Sequence, residues 1–486
     1  MINKHKSDKR GEFLFFTILF SVVFFLFKRA FSINFILDDF IFLKLGKLQS
    51  FTDFLHIFSP YKTFFYRPIP TEIFYFFINK MNNNLFVSHL IVFSVYCIGL
   101  FFLYRCLNIV TKKRDLSMFI TALYAIHFTH VFQLYELATF IEVCLFTFGV
   151  LTVYFFLQKN LLLSLVFFIC ALLSKETALL IPLFMVALDM FNIWKLPTKK
   201  ITFVIPYIVL SGIAFMLYRP SVTYLQNTEP LYAIRLSPKL IGNNLMWYGL
   251  WSLGFPNFLP DYLTSIFAKP LPKFWGLFNN VDFSIYFYSL ISYYVLFAIT
   301  IIKLLIKESK ELKKNFYLAL FLMGSFILFI GATLPTIHKW MVRLTVPLIF
   351  IVILQGIVIY VAFSKKGALR LLSYILVLLY ITIQIAGVPI HEKSSVYLLQ
   401  SAISSKMKSY CEANKAKLKL KSTIYFIDTV DNGLWGGSQM LRNTLHESDF
   451  IDAFCPKEIG RAYFNYKDKI VPKNSYIIDS AEIIVK

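Results

Sequence analysis

LFVSHLIVFSVYCIGLFFLYRCLNIVTKKR (85–114) combines the two features that decide the fold. Residues 85–104 form an apolar run of the length that a helix needs to cross a bilayer, about 20 residues. The cluster Lys112, Lys113 and Arg114 follows the run, and membrane proteins keep such clusters in their cytoplasmic loops. Apolar runs and short basic loops alternate along most of the chain. We therefore predict a polytopic membrane protein that is mainly helical.

The composition of the chain favours the same class. Of its 486 residues, 58% are hydrophobic and only 16% are charged, whereas soluble domains carry about 25% charged residues. The formal net charge of +22 lies mainly in short clusters between apolar runs, as the cytoplasmic loops of a membrane protein require. The sequence has no Arg-rich arm and no basic helix with interleaved aromatics. We assign the charge to topology and expect no nucleic-acid partner.

The basic loops also predict the path of the chain through the plasma membrane. Lys28 and Arg29 stand where a signal peptide would be cleaved, so we interpret the first apolar run as an uncleaved anchor. We predict eleven spans, with the N-terminus in the cytoplasm and the C-terminus outside. The predicted spans are residues 12–33, 85–104, 116–128, 138–157, 161–173, 177–194, 201–218, 283–306, 316–334, 342–363 and 369–388. With outer loops at 37–84 and 219–282, they form a membrane domain of residues 1–390.

Two apolar pieces of the outer loops are not predicted to cross. Phe51, Phe54, Leu55 and Phe58 have the spacing of a helix that lies on the membrane surface. Residues 240–255 would break the alternation of charge if they crossed, so we predict a re-entrant or interfacial helix there.

From about residue 391 the composition becomes that of a soluble domain. Residues 394–410 have helical spacing, Thr423–Ile427 and 476–478 resemble strands, and turns are indicated at 432–433 and 436–437. We predict a small α/β domain of residues 391–486 on the outer face. Cys411 and Cys455 are its only cysteines, and both a disulfide and a pair of free thiols fit an outer compartment.

Carboxylates at a membrane boundary are the first candidates for chemistry. Asp38 and Asp39 follow the first predicted span. Adjacent carboxylates repel each other, which raises the pKa of one of them and holds a base near the working pH. The alternative is that one of the pair caps the following helix.

Cations on the same predicted face are the second candidates. Arg67 precedes Pro68, Lys175 and Glu176 lie in a turn between two spans, and Arg343 begins another span. Arg and Lys bind phosphate oxygens, although such side chains also extend to lipid headgroups. Three cations beside an acidic pair favour an anion site. For His127 and His130 no third ligand is identifiable, so we predict no metal site and no cofactor.

These motifs, in this order, resemble those of the GT-C class of glycosyltransferases, in particular the branch related to protein O-mannosyltransferases. The similar segments are LDDF (37–40), YRPI (66–69), SHL (88–90), SKET (174–177), Tyr248 with 256–262, and 343–347. The resemblance extends from residue 1 to about 387. HFTH (127–130) lacks the branch's proline, and a compact domain replaces the TPR repeats that some members carry.

The resemblance implies an inverting transfer of a sugar from a polyprenyl-phosphate donor to a hydroxyl acceptor. It makes Asp38, assisted by Asp39, catalytic, and it assigns substrate binding to Tyr66, Arg67, His89, Lys175, Glu176 and Arg343. A lipid phosphate is a good leaving group, so one base and several cations suffice. The alternatives are a transporter or flippase of lipid-linked glycans, with charges deep in paired halves, and a glycan polymerase or ligase.

Overall fold

A helical bundle forms the larger part of the molecule in a computed structural model. The structure describes residues 9–59, 65–194, 200–263, 268–307, 312–429, 436–468 and 470–484. The helices of the bundle are α1 (Lys9–Leu26), α2 (Asp39–Leu45), α3 (Phe51–His56), α4 (Phe74–Lys80), α5 (Leu85–Thr111), α6 (Arg114–Ala125), α7 (Val131–Tyr135), α8 (Phe140–Leu157), α9 (Leu161–Leu172), α10 (Ile181–Met190), α11 (Lys200–Thr228), α12 (Pro238–Ser252), α13 (Val281–Lys307), α14 (Leu312–Gly331), α15 (Leu348–Phe363) and α16 (Ala368–Ser394). The predicted mainly helical class is confirmed.

Several of these helices have the length and composition of membrane spans. In the described part of the chain, five can cross a bilayer: Leu85–Thr111, Leu137–Leu157, Phe203–Thr228, Val281–Ile306 and Ala368–Ser394. Three further apolar helices are shorter, namely α9, α15 and residues Phe316–Gly331 of α14. The other predicted spans coincide with α1, α6 and α10, which are shorter or more polar. The chain therefore has the helices of a membrane protein, and the count of eleven crossings stays a prediction.

The centre of the bundle is the contact between α5 and α8. On one side α8 packs against α9; on the other, α5 packs against α6, and α6 against α15. α15 also contacts α14 and α16, and α16 packs against α13. At Gly356 of α15 an added Cβ atom would lie 2.6 Å from Ile120 of α6. Glycine lets these two helices approach closely, which is how apolar helices pack without a hydrophobic driving force.

The two apolar pieces of the predicted outer loops are short helices. α3 leaves Phe51, Phe54 and Leu55 exposed, as expected for a helix that lies on a membrane surface. α12 instead buries Trp247 and Trp251 in the molecule. Its position is that of the predicted re-entrant or interfacial helix.

The C-terminal domain is a small parallel sheet covered by helices. Its helices are α17 (Tyr397–Ala413), α18 (Lys415–Leu418), α19 (Gly437–Thr444), α20 (Ile451–Phe454) and α21 (Ser480–Ile483), and its strands are β1 (Thr423–Ile427), β2 (Arg461–Phe464) and β3 (Ser475–Asp479). The strand order is β2-β1-β3, with both pairs parallel. The predicted strands are confirmed and β2 was not predicted. α16 runs past the predicted boundary at 390, and the predicted turn at 432–433 lies outside the described residues.

A disulfide closes a loop within this domain, and two contacts hold the domain against the bundle. Cys411 of α17 and Cys455 form a disulfide, with their Cα atoms 5.2 Å apart, so the structure adopts the bonded alternative. The backbone N–H of Asn34 donates to Ser401 Oγ of α17 at 2.8 Å. The rings of Phe40 and Phe454 meet edge to face at 5.3 Å. The domain therefore rests on the segment that joins α1 to α2.

Candidate active site

A cavity opens at the end of the bundle that carries the C-terminal domain. Its volume is about 220 Å³, somewhat below the roughly 300–1,000 Å³ of typical ligand sites. Its charged lining residues are Asp38, Arg67, Glu142, Lys175, Glu176 and Arg343. They come from the segment after α1, the segment before α4, the start of α8, the turn between α9 and α10, and the segment before α15. The cations predicted to converge therefore share one cavity.

Asp38 presents its carboxylate to this cavity. It occupies the N-cap position of α2 but makes no capping hydrogen bond, and its side chain is 47% exposed. Partial burial raises the pKa of Asp38, while the charges of His446 and Arg67 oppose this rise. The Asp38 side chain therefore does not cap α2, which was the alternative to a catalytic role. Its carboxylate can accept a proton in the cavity.

Asp39 has a different environment. It is fully buried, and its two oxygens accept hydrogen bonds from the Tyr75 hydroxyl at 2.6 Å and the Ile36 backbone N–H at 2.9 Å. Burial raises the pKa of Asp39 to about 7, and the repulsion by Asp38 contributes least to that rise. Asp39 therefore holds the turn that presents Asp38.

Arg67 and Glu176 form a two-pronged ion pair in the cavity wall. Arg67 lies just before Pro68, which begins the short π-helical turn Ile69–Ile73. Its Nη2 and Nε donate to the Glu176 carboxylate at 2.7 and 3.0 Å, the geometry that gives strong charge-assisted bonds. Burial raises the pKa of Glu176, but Arg67 and Lys175 outweigh it and lower that pKa to about 2. Glu176 thereby fixes the guanidinium and stays ionised.

Lys175 pairs with a residue that sequence analysis did not assign to the site. Its extended backbone precedes the 3₁₀ helix Glu176–Leu180, and its ammonium forms a buried ion pair with Glu142 of α8. Burial lowers the pKa of Lys175, while Glu142 and Glu176 oppose this. The signal for Glu142 was an acidic residue at the start of an apolar run, which by itself indicates only a favourable helix end.

Arg343 differs from the other two cations of the cavity because its charge is not balanced by a nearby carboxylate of the described residues. It lies in the 3₁₀ helix Met341–Leu344 and donates to the His338 carbonyl oxygen at 2.7 Å and to His338 Nδ1 at 3.0 Å. Among the described residues, no carboxylate lies within ion-pair distance of it. Arg67 and Lys175 already have carboxylate partners. A phosphate in the cavity would therefore interact most favourably with Arg343.

Two predicted substrate-binding residues lie elsewhere. Tyr66 is buried and donates from its hydroxyl to the Phe58 carbonyl at 3.2 Å. His89 is fully buried in α5, with Nε2 3.1 Å from the Ile33 carbonyl oxygen. Neither is among the described residues that line the cavity, so the structure does not bring them together with the predicted base and cations.

One residue of the C-terminal domain approaches Asp38. The His446 Nε2 atom lies 3.7 Å from Asp38 Oδ1. This contact could not be predicted, since a lone histidine in a polar domain forms no local pattern. Tyr232 and Trp340 also line the cavity and were not predicted, because single aromatic residues are common throughout this chain and indicate no site.

The site thus combines the half-buried, uncapped Asp38 carboxylate with three cations, two of which are paired with Glu176 and Glu142, in one cavity. Such a set can remove a proton from a hydroxyl and neutralise charge on a phosphate. No protein-family model matches this chain, and no curated protein shows significant similarity to it.

Proposed function

We propose that this protein is an inverting glycosyltransferase that moves a sugar from a polyprenyl-phosphate donor to a hydroxyl acceptor on the outer face of the membrane. The observation that carries the proposal is the shared cavity of Asp38, Arg67, Lys175 and Arg343. A base and an anion site, distant in sequence, meet where both substrates could enter. These are the two elements that a transfer from a lipid phosphate requires.

The proposed reaction is a single displacement. The acceptor oxygen attacks the anomeric carbon from the side opposite the phosphate, and its proton passes to the Asp38 carboxylate. As the new carbon–oxygen bond forms, the bond to the phosphate oxygen breaks and leaves its electron pair on the polyprenyl phosphate. Arg343 and Lys175 stabilise the charge that develops there. Attack from the opposite side inverts the anomeric centre.

The apolar part of the cavity wall suits a lipid-borne donor. Val222 and Leu225 of α11 and Ile234 line it beside the charged residues. Farther along α11, Ile213 and Phe215 are exposed by 52% and 59%, as expected for a helix that faces lipid. A polyprenyl chain lying along α11 could therefore stay in the bilayer while its phosphate reaches the cations.

The topology is part of the same proposal. Eleven crossings, with the N-terminus in the cytoplasm, put Lys112, Lys195, Lys310 and Lys365 inside, although Lys195 and Lys310 lie outside the described residues. They put Asp38, Lys175 and the C-terminal domain outside. This path is supported because several of the helix ends that it assigns to the outer face, those near Asp38, Thr139, Lys175 and Arg343, line one cavity.

A transfer assay tests the proposal. Purified protein in lipid nanodiscs is given a panel of polyprenyl-phosphate hexoses labelled in the sugar, with membranes of a strain lacking the gene as acceptor. We expect label to enter a glycan or glycoprotein, with the inverted anomeric configuration. A mass-spectrometric comparison of surface glycans with and without the gene then identifies the product. If no donor is consumed but lipid-linked glycans cross the membrane, the transporter alternative replaces the proposal.

A further inference from the structure

The C-terminal domain contacts the segment that carries Asp38. The backbone N–H of Leu37 donates to the Thr444 carbonyl at 2.8 Å. Leu37 has φ +50°, and on the facing segment His446 has φ +49° and Glu447 has φ +57°. Non-glycine residues adopt this left-handed backbone rarely, and they keep it where their surroundings demand it. Two unusual turns from distant parts of the chain thus meet beside the proposed base.

A row of alternating charges runs from the cavity into the C-terminal domain. His446 Nε2 lies 3.7 Å from Asp38 Oδ1, and His446 Nδ1 lies 2.9 Å from Asp449 Oδ2. Asp449 Oδ1 in turn lies 3.0 Å from Lys44 Nζ of α2. A separation of 3.7 Å is too long for a hydrogen bond, so His446 acts on Asp38 through charge. The imidazole is fixed from behind by Asp449.

The surroundings of His446 favour its charged form. Burial lowers the pKa of His446, but Asp449, Asp38 and Glu447 together raise it above its usual value. Glu447 is itself paired with Arg442. An imidazolium beside Asp38 stabilises the carboxylate form of that residue.

We propose that the C-terminal domain completes the active site, and that His446 is a positioning residue that holds Asp38 as a carboxylate facing the cavity. The inference rests on the proposed function, since it gives His446 a role only if Asp38 is the base. It makes the C-terminal domain part of the catalytic unit.

The test is the pH profile of kcat/KM for His446→Gln, in the full-length protein and the transfer assay above. Glutamine keeps a polar side chain but removes the charge. The pKa of Asp38 should rise, because one of the two groups that oppose its elevation is lost. We expect the acid limb of the profile to move up by about one pH unit, with the alkaline plateau near wild type. His446→Lys restores a cation and should return the limb toward its original position.

Lys47→Gln is the matched control. Lys47 contacts Asp452 across the same interface, with Nζ 3.0 Å from its carbonyl oxygen, but it does not line the cavity. Its pH profile should match wild type. An equal loss of kcat/KM at every pH in His446→Gln, or no change, would overturn the inference and leave the proposed function intact. Asp38→Asn, assayed in parallel, tests the proposed function separately. Wild-type turnover in that variant would show that Asp38 is not the base.

Discussion

Arg343 differs from the other two cations of the cavity in the partners that it already has. Arg67 and Lys175 are neutralised by carboxylates, whereas Arg343 donates to neutral groups. A phosphate that enters the cavity therefore gains most from Arg343. We expect Arg343→Ala to weaken donor binding by about 2–4 kcal/mol, which is roughly 30- to 1,000-fold.

Titration of a labelled polyprenyl-phosphate hexose into the nanodisc-bound protein measures this loss directly. Arg235→Ala is the control, since Arg235 is an exposed cation of the neighbouring loop that does not line the cavity. Equal donor affinity in Arg343→Ala and wild type would exclude Arg343 from the phosphate site.

The buried pair of Lys175 and Glu142 allows stability and catalysis to be separated. Their side chains are only 8% and 7% exposed. Lys175→Met leaves Glu142 without its cation and should destabilise the fold by about 3–5 kcal/mol. In Lys175→Met/Glu142→Gln both charges are gone, so most of this stability should return while turnover stays low. Unfolding in detergent and the transfer assay give the two readouts, and a double variant with full turnover would refute a catalytic role for Lys175.

At the scale of elements, the disulfide links α17 to the end of α20. The bond closes a loop with a sequence separation of 44 residues, for which loop-closure entropy predicts a stabilisation of about 4 kcal/mol. Replacing Cys411 and Cys455 by Ser should lower the stability of the C-terminal domain by about this amount. Hydrogen exchange of peptides from β1 and β3 in the full-length protein measures the change. Exchange rates equal to those of wild type would show that the bond contributes nothing.

Local patterns account for the elements that sequence predicted. The helices of the predicted spans and strands β1 and β3 follow from hydropathy and spacing within single segments. Strand β2 was not predicted, because its four residues, RAYF, are too few to show an alternating pattern. The predicted end of α16 was too early because the composition changes at about residue 391. In the structure His391 packs against Phe128, and this contact stabilises the last turn of the helix.

Only those features of the site that follow from the alternation of the spans could be predicted. Alternating spans predicted that Asp38, Arg67, Lys175 and Arg343 lie at one end of the bundle. Hydropathy along a single span does not show how that helix is rotated against its neighbours, so the pairing of Arg67 with Glu176 and of Lys175 with Glu142 could not be predicted. The contact of His446 with Asp38 depends on how two domains dock, which no local pattern reveals.

At the scale of the whole molecule, the predicted orientation in the membrane is open to direct measurement. Engineered cysteines at Lys112, Lys366 and Lys417, all exposed, probe two predicted cytoplasmic loops and the C-terminal domain. A maleimide that cannot cross membranes should label Lys417→Cys in intact cells, and the other two only after permeabilisation. Protection of Lys417→Cys in intact cells would contradict an outer C-terminal domain.

If Asp38 is the general base of a glycosyl transfer, Asp38→Asn should lose turnover while the protein keeps its fold. Asparagine keeps the shape of the side chain and removes its basicity. At matched expression and fold, we expect turnover to fall by roughly 10²- to 10⁴-fold while donor affinity stays near wild type. Asp39→Asn, the matched control at the buried neighbour, should have a smaller effect. Turnover of Asp38→Asn close to that of wild type would contradict the claim.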